Sequence, residues 1–256
     1  SKTRFSALAS GEIDMLSKTT TWTYSRDSDL NVDFEGVNFY DGQGFMVSAG
    51  LGVSSARELD GATICIKTGT TSELNLADYF RTNGMDFDPV PIDTDSEAIQ
   101  QLLAGSCDVF STDRSKLYAI HSTFENPDDY VILPEIISKE PLGPAVLEGD
   151  QEWGDIVRWT LNALIAAEEL GITSKNAAEM AATSKNPEVR RLLGTEGNLG
   201  AMNRLSADWA LKAIQAVGNY GELFANTIGE NSPIRMKRGI NALWTDGGLQ
   251  YSPPFR

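Results

Sequence analysis

The sequence predicts an α/β protein in which a mainly parallel sheet is flanked by helices. Between residues 56 and 137, short apolar runs alternate with helical segments, the βαβαβ pattern that builds such a sheet. Of the 256 residues, 41% are hydrophobic and 22% are charged, which is an ordinary globular composition. This length is sufficient for two lobes, each with its own core.

The individual elements follow from hydrophobic spacing and from turn residues. Short apolar runs bounded by turns predict strands at residues 13–16, 32–34, 44–47, 62–66, 89–92, 107–110 and 130–133. Helical spacing predicts helices at residues 73–81, 96–104 and 113–121. From about residue 151 onward the pattern becomes helical, with helices expected at 153–169, 177–182, 187–193 and 207–218.

Three polar segments stand out along the chain. They are the Thr-rich stretch Thr19–Arg26, the turn Gly69–Ser72, and Asp113. The turn and Asp113 both follow predicted strands, and ligands of parallel sheets bind at the carboxyl ends of the strands. One fixed cation, one fixed anion and a set of hydroxyl and backbone donors match the needs of a free amino acid. The sequence therefore predicts a small-molecule binder.

The charge of the chain limits its partners. Thirty-six acidic residues against 21 basic ones give a formal net charge of −15. Nucleic acids and anionic membranes are themselves polyanions, so neither is an expected partner. There is also no run of about 18 apolar residues that would predict a membrane-spanning helix.

The cysteines leave two alternatives open. Cys65 and Cys107 each lie in a short strand-like run, so they would form a disulfide if those strands are neighbours, and would otherwise be buried thiols. Their spacing does not match a zinc site. We expect neither a metal nor a cofactor.

Four motifs occur in order and at fitting spacing: Leu8–Asp14, the Thr-x-Thr-x-Thr-x-x-Arg stretch, Gly69–Glu73 and Cys107–Asp113. Together they resemble the periplasmic amino-acid-binding proteins of ABC importers. The segments Tyr40–Phe45, Pro141–Val146 and Trp244–Arg256 resemble the general L-amino-acid branch. The resemblance covers essentially the whole chain.

This resemblance implies a periplasmic location and a periplasmic binding protein-like fold. Its two lobes, each with a mainly parallel sheet flanked by helices, are joined by two hinge strands, expected near residues 44–47 and 143–146. Lobe one then comprises residues 1–47 and 143–256, and lobe two comprises residues 48–142. Relative to the family pattern, the chain is expected to lack an N-terminal part of lobe one. The implied function is to bind a free L-amino acid in the interlobe cleft and to deliver it to permease subunits. An enzyme on the same scaffold, acting on a small carboxylate, is the alternative.

The family motif also implies roles for three residues of the Thr-rich stretch. Arg26 is expected to bind the α-carboxylate of the ligand, with Thr19 and Thr21 adding hydroxyl or backbone contacts. From the residues alone, Arg26 is equally well explained as a surface arginine paired with Asp27 or Asp29.

The remaining implied site residues follow the predicted strands. Backbone donors of Gly69, Thr70 and Thr71 are expected to meet the carboxylate at a helix N-terminus. Asp113 is expected to accept the α-ammonium, and it is also a typical cap for the helix that follows. Lys67 would face the ligand side chain and favour Glu, Gln, Asp or Asn.

Overall fold

The computed structural model describes residues 3–256, which divide into two compact units. Unit 1 contains residues 40–142 and a short N-terminal stretch that ends at Ala7. Unit 2 contains Leu8–Phe39 and Gly143–Arg256. No helix within residues 3–256 is long and apolar enough to cross a membrane.

Strands and helices are numbered in chain order. The strands are β1 (Val32–Phe34), β2 (Phe39–Asp41), β3 (Gln43–Ser48), β4 (Ala62–Lys67), β5 (Phe87–Ile92), β6 (Val109–Asp113), β7 (Tyr130–Ile132), β8 (Glu140–Leu142) and β9 (Ala145–Leu147). The helices are α1 (Arg4–Ala9), α2 (Tyr24–Asp29), α3 (Thr71–Asn83), α4 (Asp95–Leu103), α5 (Arg114–His121), α6 (Gln151–Glu169), α7 (Ala177–Thr183), α8 (Pro187–Leu192), α9 (Trp209–Val217) and α10 (Tyr220–Thr227).

Unit 1 is built on a five-stranded sheet with the order β5-β4-β6-β3-β7. Strand β4 is parallel to both β5 and β6, as the βαβαβ pattern predicts. Strand β3 is antiparallel to β6 and to β7, so the sheet is mixed. Two apolar clusters cover it, one around Phe45, Ile64 and Phe80 and the other around Met46 and Phe110. The α/β fold expected from the sequence is confirmed.

The position of β3 differs from the sequence-based expectation. Residues 44–47 were expected to be a hinge strand, with the lobe boundary after residue 47. Instead, β3 hydrogen-bonds to a neighbouring strand on each side and is almost fully buried inside unit 1. The change of unit accordingly lies between Phe39 and Tyr40. A separate two-stranded sheet pairs β2 with β8.

A disulfide links Cys65 to Cys107 in unit 1. Cys65 lies in β4, and Cys107 lies two residues before its neighbour β6, which brings the Cα atoms to 5.7 Å. Both residues belong to the cluster around Met46 and Phe110. Of the two alternatives that the sequence left open, the structure has the disulfide.

Unit 2 is mainly helical, and its described residues do not form the mainly parallel sheet expected for this lobe. Its strands β1 and β9 pair antiparallel, and of the strand expected at residues 13–16 only Leu16 forms a bridge, to Ala145. The core packs α6 against α9 and α10 around small and branched residues such as Ala163 and Ile214. Apolar residues at helical spacing along α6 supply one face of this core.

Candidate functional site

The turn after β4 leads into the N-terminus of α3. Gly69 has a φ of +69°, a conformation that favours glycine, and its backbone N–H donates to Glu73 Oε2 across 2.8 Å. The hydroxyl of Thr70 donates to the carbonyl of Lys67 (2.7 Å), so the Thr70 side chain does not cap α3. A helix N-terminus without a side-chain cap offers N–H donors to an anion.

Thr71, the first residue of α3, contacts a buried carboxylate. Its hydroxyl donates to Glu140 Oε2 across 3.2 Å, and Asn75 Nδ2, one turn further along, donates to Glu140 Oε1 across 2.7 Å. Ser138 Oγ also donates to Oε1 (2.9 Å), and only 1% of Glu140 is exposed. Glu140 therefore fixes the first two turns of α3. Sequence analysis missed Glu140, although it directly precedes the motif Pro141–Val146.

Asp113 ends β6 and is 8% exposed. Burial, together with the charges of Asp41 and Glu140, raises its pKa to about 7, while the charges of Lys116 and Arg4 act in the opposite direction. Within residues 3–256, its carboxylate accepts no hydrogen bond and forms no ion pair. Asp113 occupies the N-cap position of α5 without a side-chain cap bond, so the capping alternative is wrong.

Asp41 caps α5 instead, from a different part of the chain. It accepts hydrogen bonds from the backbone N–H of Ser115 (3.3 Å) and from the Ser115 hydroxyl. The backbone N–H of Gly42 donates to it as well, across 2.8 Å. Burial raises the pKa of Asp41, and these hydrogen bonds oppose the rise. Because Asp41 takes this role, Asp113 remains available for another partner.

Lys67 lies at the end of β4 and contacts an acidic residue of α4. Its Nζ is 2.9 Å from Asp95 Oδ1, and Lys116 Nζ is 3.5 Å from Asp95 Oδ2. Burial would raise the pKa of Asp95, but the hydrogen bond from Lys67 and the charges of Lys116 and Lys67 hold it below its ordinary value. Lys67 thus already forms an ion pair within unit 1.

The other predicted residues lie in unit 2. Arg26, in α2, folds back so that Nη1 donates to the carbonyl of Thr21 across 2.8 Å. The hydroxyl of Thr23 caps α2 by accepting the N–H of Arg26 (3.3 Å). Thr21 is buried and Thr19 is half-buried. The Arg26 side chain is therefore in contact with the backbone of the Thr-rich stretch to which it belongs.

Unit 1 brings five of the predicted residues to one end of its sheet: Lys67, Gly69, Thr70, Thr71 and Asp113. This end combines the N-terminus of α3 with the buried carboxylate of Asp113, which is unpaired within the described residues. Such a site can receive a carboxylate at the helix and a cationic group at the acid. Fold and site thus define a class, that of the α/β proteins that bind small zwitterionic molecules.

Comparison with known proteins gives the family. No protein-family model matches the sequence. The glutamate/glutamine/aspartate/asparagine-binding protein BztA of Rhodobacter capsulatus is 59% identical over 255 residues, which span 100% of this chain and 75% of that protein. The general L-amino acid-binding periplasmic protein AapJ of Rhizobium johnstonii is 55% identical over 257 residues, with the same coverage.

A solved structure agrees with these relatives. The ABC transporter / periplasmic binding protein from Brucella ovis with glutathione bound has a TM-score of 0.97 and 52% identity, covering 100% of this chain and 80% of that one. The chain belongs to the family of periplasmic amino-acid-binding proteins of ABC transporters. The resemblance seen in the sequence motifs is confirmed.

Proposed function

We propose that this protein binds a free L-amino acid at the end of the unit 1 sheet that holds Asp113 and the N-terminus of α3. We further propose that it delivers this ligand to the permease subunits of an ABC transporter. The observation that carries the proposal is the buried carboxylate of Asp113, which forms no hydrogen bond and no ion pair within residues 3–256. An α-ammonium brings a positive charge and three N–H donors, which would pair with Asp113 and offset the repulsion from Asp41 and Glu140. The ligand carboxylate would lie at the N-terminus of α3.

We further propose that the preferred ligands are Glu, Gln, Asp and Asn. The names of BztA and AapJ support amino acids of this class or a broader set. Lys67 is the candidate for the side-chain contact, and it would divide its charge between Asp95 and the ligand. The Lys67→Ala variant should then bind glutamate about tenfold more weakly, as expected for a charged hydrogen bond. Equal affinity for glutamate in Lys67→Ala and in the exposed control Lys185→Ala would contradict this role.

Arg26, Thr19 and Thr21 stay predicted contacts for the ligand carboxylate. Arg26 Nη1 donates to the Thr21 carbonyl, and this interaction orients the guanidinium. Substitution of Arg26 by alanine tests this role separately from unit 1. The exposed residue Arg81 provides the control.

We place the protein in the periplasm and propose that it returns its ligand unchanged. The Cys65–Cys107 disulfide supports an oxidising compartment. Binding without turnover follows from pairing Asp113 with an ammonium, because an ion pair favours recognition over proton transfer. Chromatography of the ligand after prolonged incubation tests this point, and appearance of a new product would favour the enzyme alternative.

The test of binding is a thermal-shift screen with the twenty L-amino acids, followed by isothermal titration of each hit. A ligand at 1,000 times its Kd stabilises a protein by about 4 kcal/mol, which is readily measured. Binding should be lost in Asp113→Ala and retained in Asp88→Ala, which changes an exposed acid of the same unit. Equal binding by both variants, or no shift with any amino acid, would refute the proposal.

A further inference from the structure

Gln43 is a fully buried polar residue at the start of β3. In the antiparallel pairing of β3 with β6, Gln43 is the partner of Asp113. Side chains of directly paired residues project from the same face of a sheet, so Gln43 lies beside the proposed ammonium acceptor.

The orientation of the Gln43 amide is fixed by its partners. Nε2 donates to the carbonyl of Ser72 (3.0 Å) and to Ser111 Oγ (2.8 Å), while Ser111 Oγ donates its own hydrogen to the carbonyl of Gly44 (3.0 Å). A carbonyl oxygen only accepts, so the nitrogen must face Ser72 and the flipped amide is excluded. Oε1 consequently points elsewhere, and it is a buried acceptor without a partner in the described part of the chain.

The two partners of Gln43 belong to the two halves of the proposed site. Ser72 is the second residue of α3, whose N-terminus is the proposed position of the ligand carboxylate. Ser111 precedes Asp113 by two residues on β6. The planar amide of Gln43 is thus hydrogen-bonded to both the carboxylate side and the ammonium side of the site. The rigid geometry of this amide sets the distance between the two sides.

We infer that Gln43 sets the distance between the carboxylate and ammonium subsites, and so makes the site select α-amino acids over β-amino acids. This inference rests on the proposed function. An α-amino acid has one carbon between its two charged groups and a β-amino acid has two, so the groups lie about 1 Å further apart. Displacements of that size are costly in a preorganised site. The absence of a donor for Oε1 among the described residues also favours a bound ligand as its partner, because native proteins rarely leave a buried acceptor without a donor.

The experiment compares L-glutamate with β-glutamate, its isomer with the amino group on the β-carbon, by isothermal titration. Wild-type protein should bind L-glutamate at least about tenfold more tightly than β-glutamate, a preference of the size expected from a 1 Å misplacement. Gln43→Met keeps the length of the side chain and removes its hydrogen bonds, and should narrow this ratio to about threefold or less. Gln100→Met changes an exposed glutamine of the same unit and should keep the wild-type ratio.

A structural role and a spacing role give different results. An equal loss of affinity for L-glutamate and β-glutamate in Gln43→Met would overturn the inference, because the ratio of the two affinities would then be unchanged. Wild-type protein that binds L-glutamate without preferring it to β-glutamate would overturn it as well, while leaving the proposed function intact. If no α-amino acid binds wild-type protein, the proposed function itself fails. Should Gln43→Met not fold, Ser111→Ala removes one tie only, and an unchanged ratio in that variant would overturn the inference.

Discussion

The backbone N–H of Gly69 donates to the side chain of Glu73 across 2.8 Å. Gly69 is one of the residues expected to present its N–H to the ligand carboxylate. An internal carboxylate therefore accepts the hydrogen of this donor. Because both carboxylates would compete for the same hydrogen, Glu73 is expected to oppose ligand binding.

Replacement of Glu73 by alanine should strengthen binding of an L-amino acid. We expect Kd to fall by about threefold to tenfold, the value of one charge-assisted hydrogen bond that no longer has to be displaced. Glu97→Ala is a matched control, since Glu97 Oε2 accepts the N–H of Asp93 (2.9 Å) before α4 in the same way. Isothermal titration measures both variants. An unchanged or higher Kd in Glu73→Ala would show that the Gly69 donor does not contact the ligand.

Asp113→Asn should stabilise the ligand-free protein while abolishing binding. The folded pKa of Asp113 is about 7, against an ordinary value of 3.8. The folded protein therefore holds more protons than the unfolded chain between about pH 4 and 7, and its stability falls with rising pH in that window. The neutral amide avoids this loss, so the advantage of Asp113→Asn should grow from about pH 4 to 7 and stay constant above.

Thermal unfolding at pH 4.5 and pH 8 checks this prediction. We expect the melting temperature of Asp113→Asn to exceed that of wild-type protein by about 3 °C or more at pH 8. The difference should be clearly smaller at pH 4.5. The exposed substitution Asp88→Asn should show neither effect. A melting temperature below wild type at pH 8 would mean that the Asp113 carboxylate has a stabilising partner.

Ligand affinity should depend on pH through the same residue. Only ionised Asp113 pairs with an ammonium, and about nine-tenths of it is protonated one unit below its pKa of about 7. Kd for L-glutamate should therefore rise roughly tenfold between pH 8 and pH 6. Titrations in buffers of different ionisation enthalpy should also detect proton release on binding at pH 6.5. A Kd that is constant over this range would exclude Asp113 as the ammonium acceptor.

Local patterns in the sequence predicted the elements that position the site. Strand β4, the Gly69 turn and helix α3 lie where apolar spacing and turn residues place them, whereas β6 begins two residues later than predicted and extends to Asp113. The direction of β3 was not predictable in this way, because its partners β6 and β7 come more than 60 residues later. Helical spacing identified α6, α7, α8 and α9 of unit 2 for the same local reason, but it did not predict α2 or α10.

The candidate site was predicted only in part, because several of its contacts join distant residues. Asp41 and Ser115 are 74 positions apart, and Thr71 and Glu140 are 69 apart. No local motif indicates such pairs. Sequence analysis therefore did not identify Asp41, Glu140 or the buried Gln43 as residues of the candidate site. An ammonium partner would lower the pKa of Asp113. Without one, burial and two neighbouring acids raise it.

Loss of the disulfide should destabilise unit 1. Cys65 and Cys107 are 42 positions apart, and closing a loop of that length is worth about 4 kcal/mol in the chain-entropy model. The variant Cys65→Ala/Cys107→Ala and the wild-type protein under reducing conditions should both show a clearly lower midpoint in urea. Reductant should not change the midpoint of the double variant. A wild-type midpoint that is insensitive to full reduction would contradict the prediction.

A side chain at Gly154 should lower the stability of unit 2, although this residue lies in the first turns of helix α6. A Cβ atom at this position would be 2.4 Å from Oε1 of Glu35, a residue that is only 2% exposed. Glu35 is held in place because Arg158 Nη2 is 2.6 Å from its Oε2. Replacing glycine by alanine within a helix normally stabilises by about 1 kcal/mol. Here we expect Gly154→Ala to destabilise unit 2 by about 1–3 kcal/mol, because the buried, ion-paired carboxylate must move.

Removal of the obstructing side chain separates this clash from other causes. Glu35→Ala alone should destabilise, since it leaves a cavity and frees Arg158 from its partner. Adding Gly154→Ala to Glu35→Ala should then cost nothing further and recover part of the helix propensity. Urea unfolding of the two single variants and the double variant measures this coupling. If Gly154→Ala lowers stability equally with and without Glu35, the glycine is required for a reason other than the carboxylate above it.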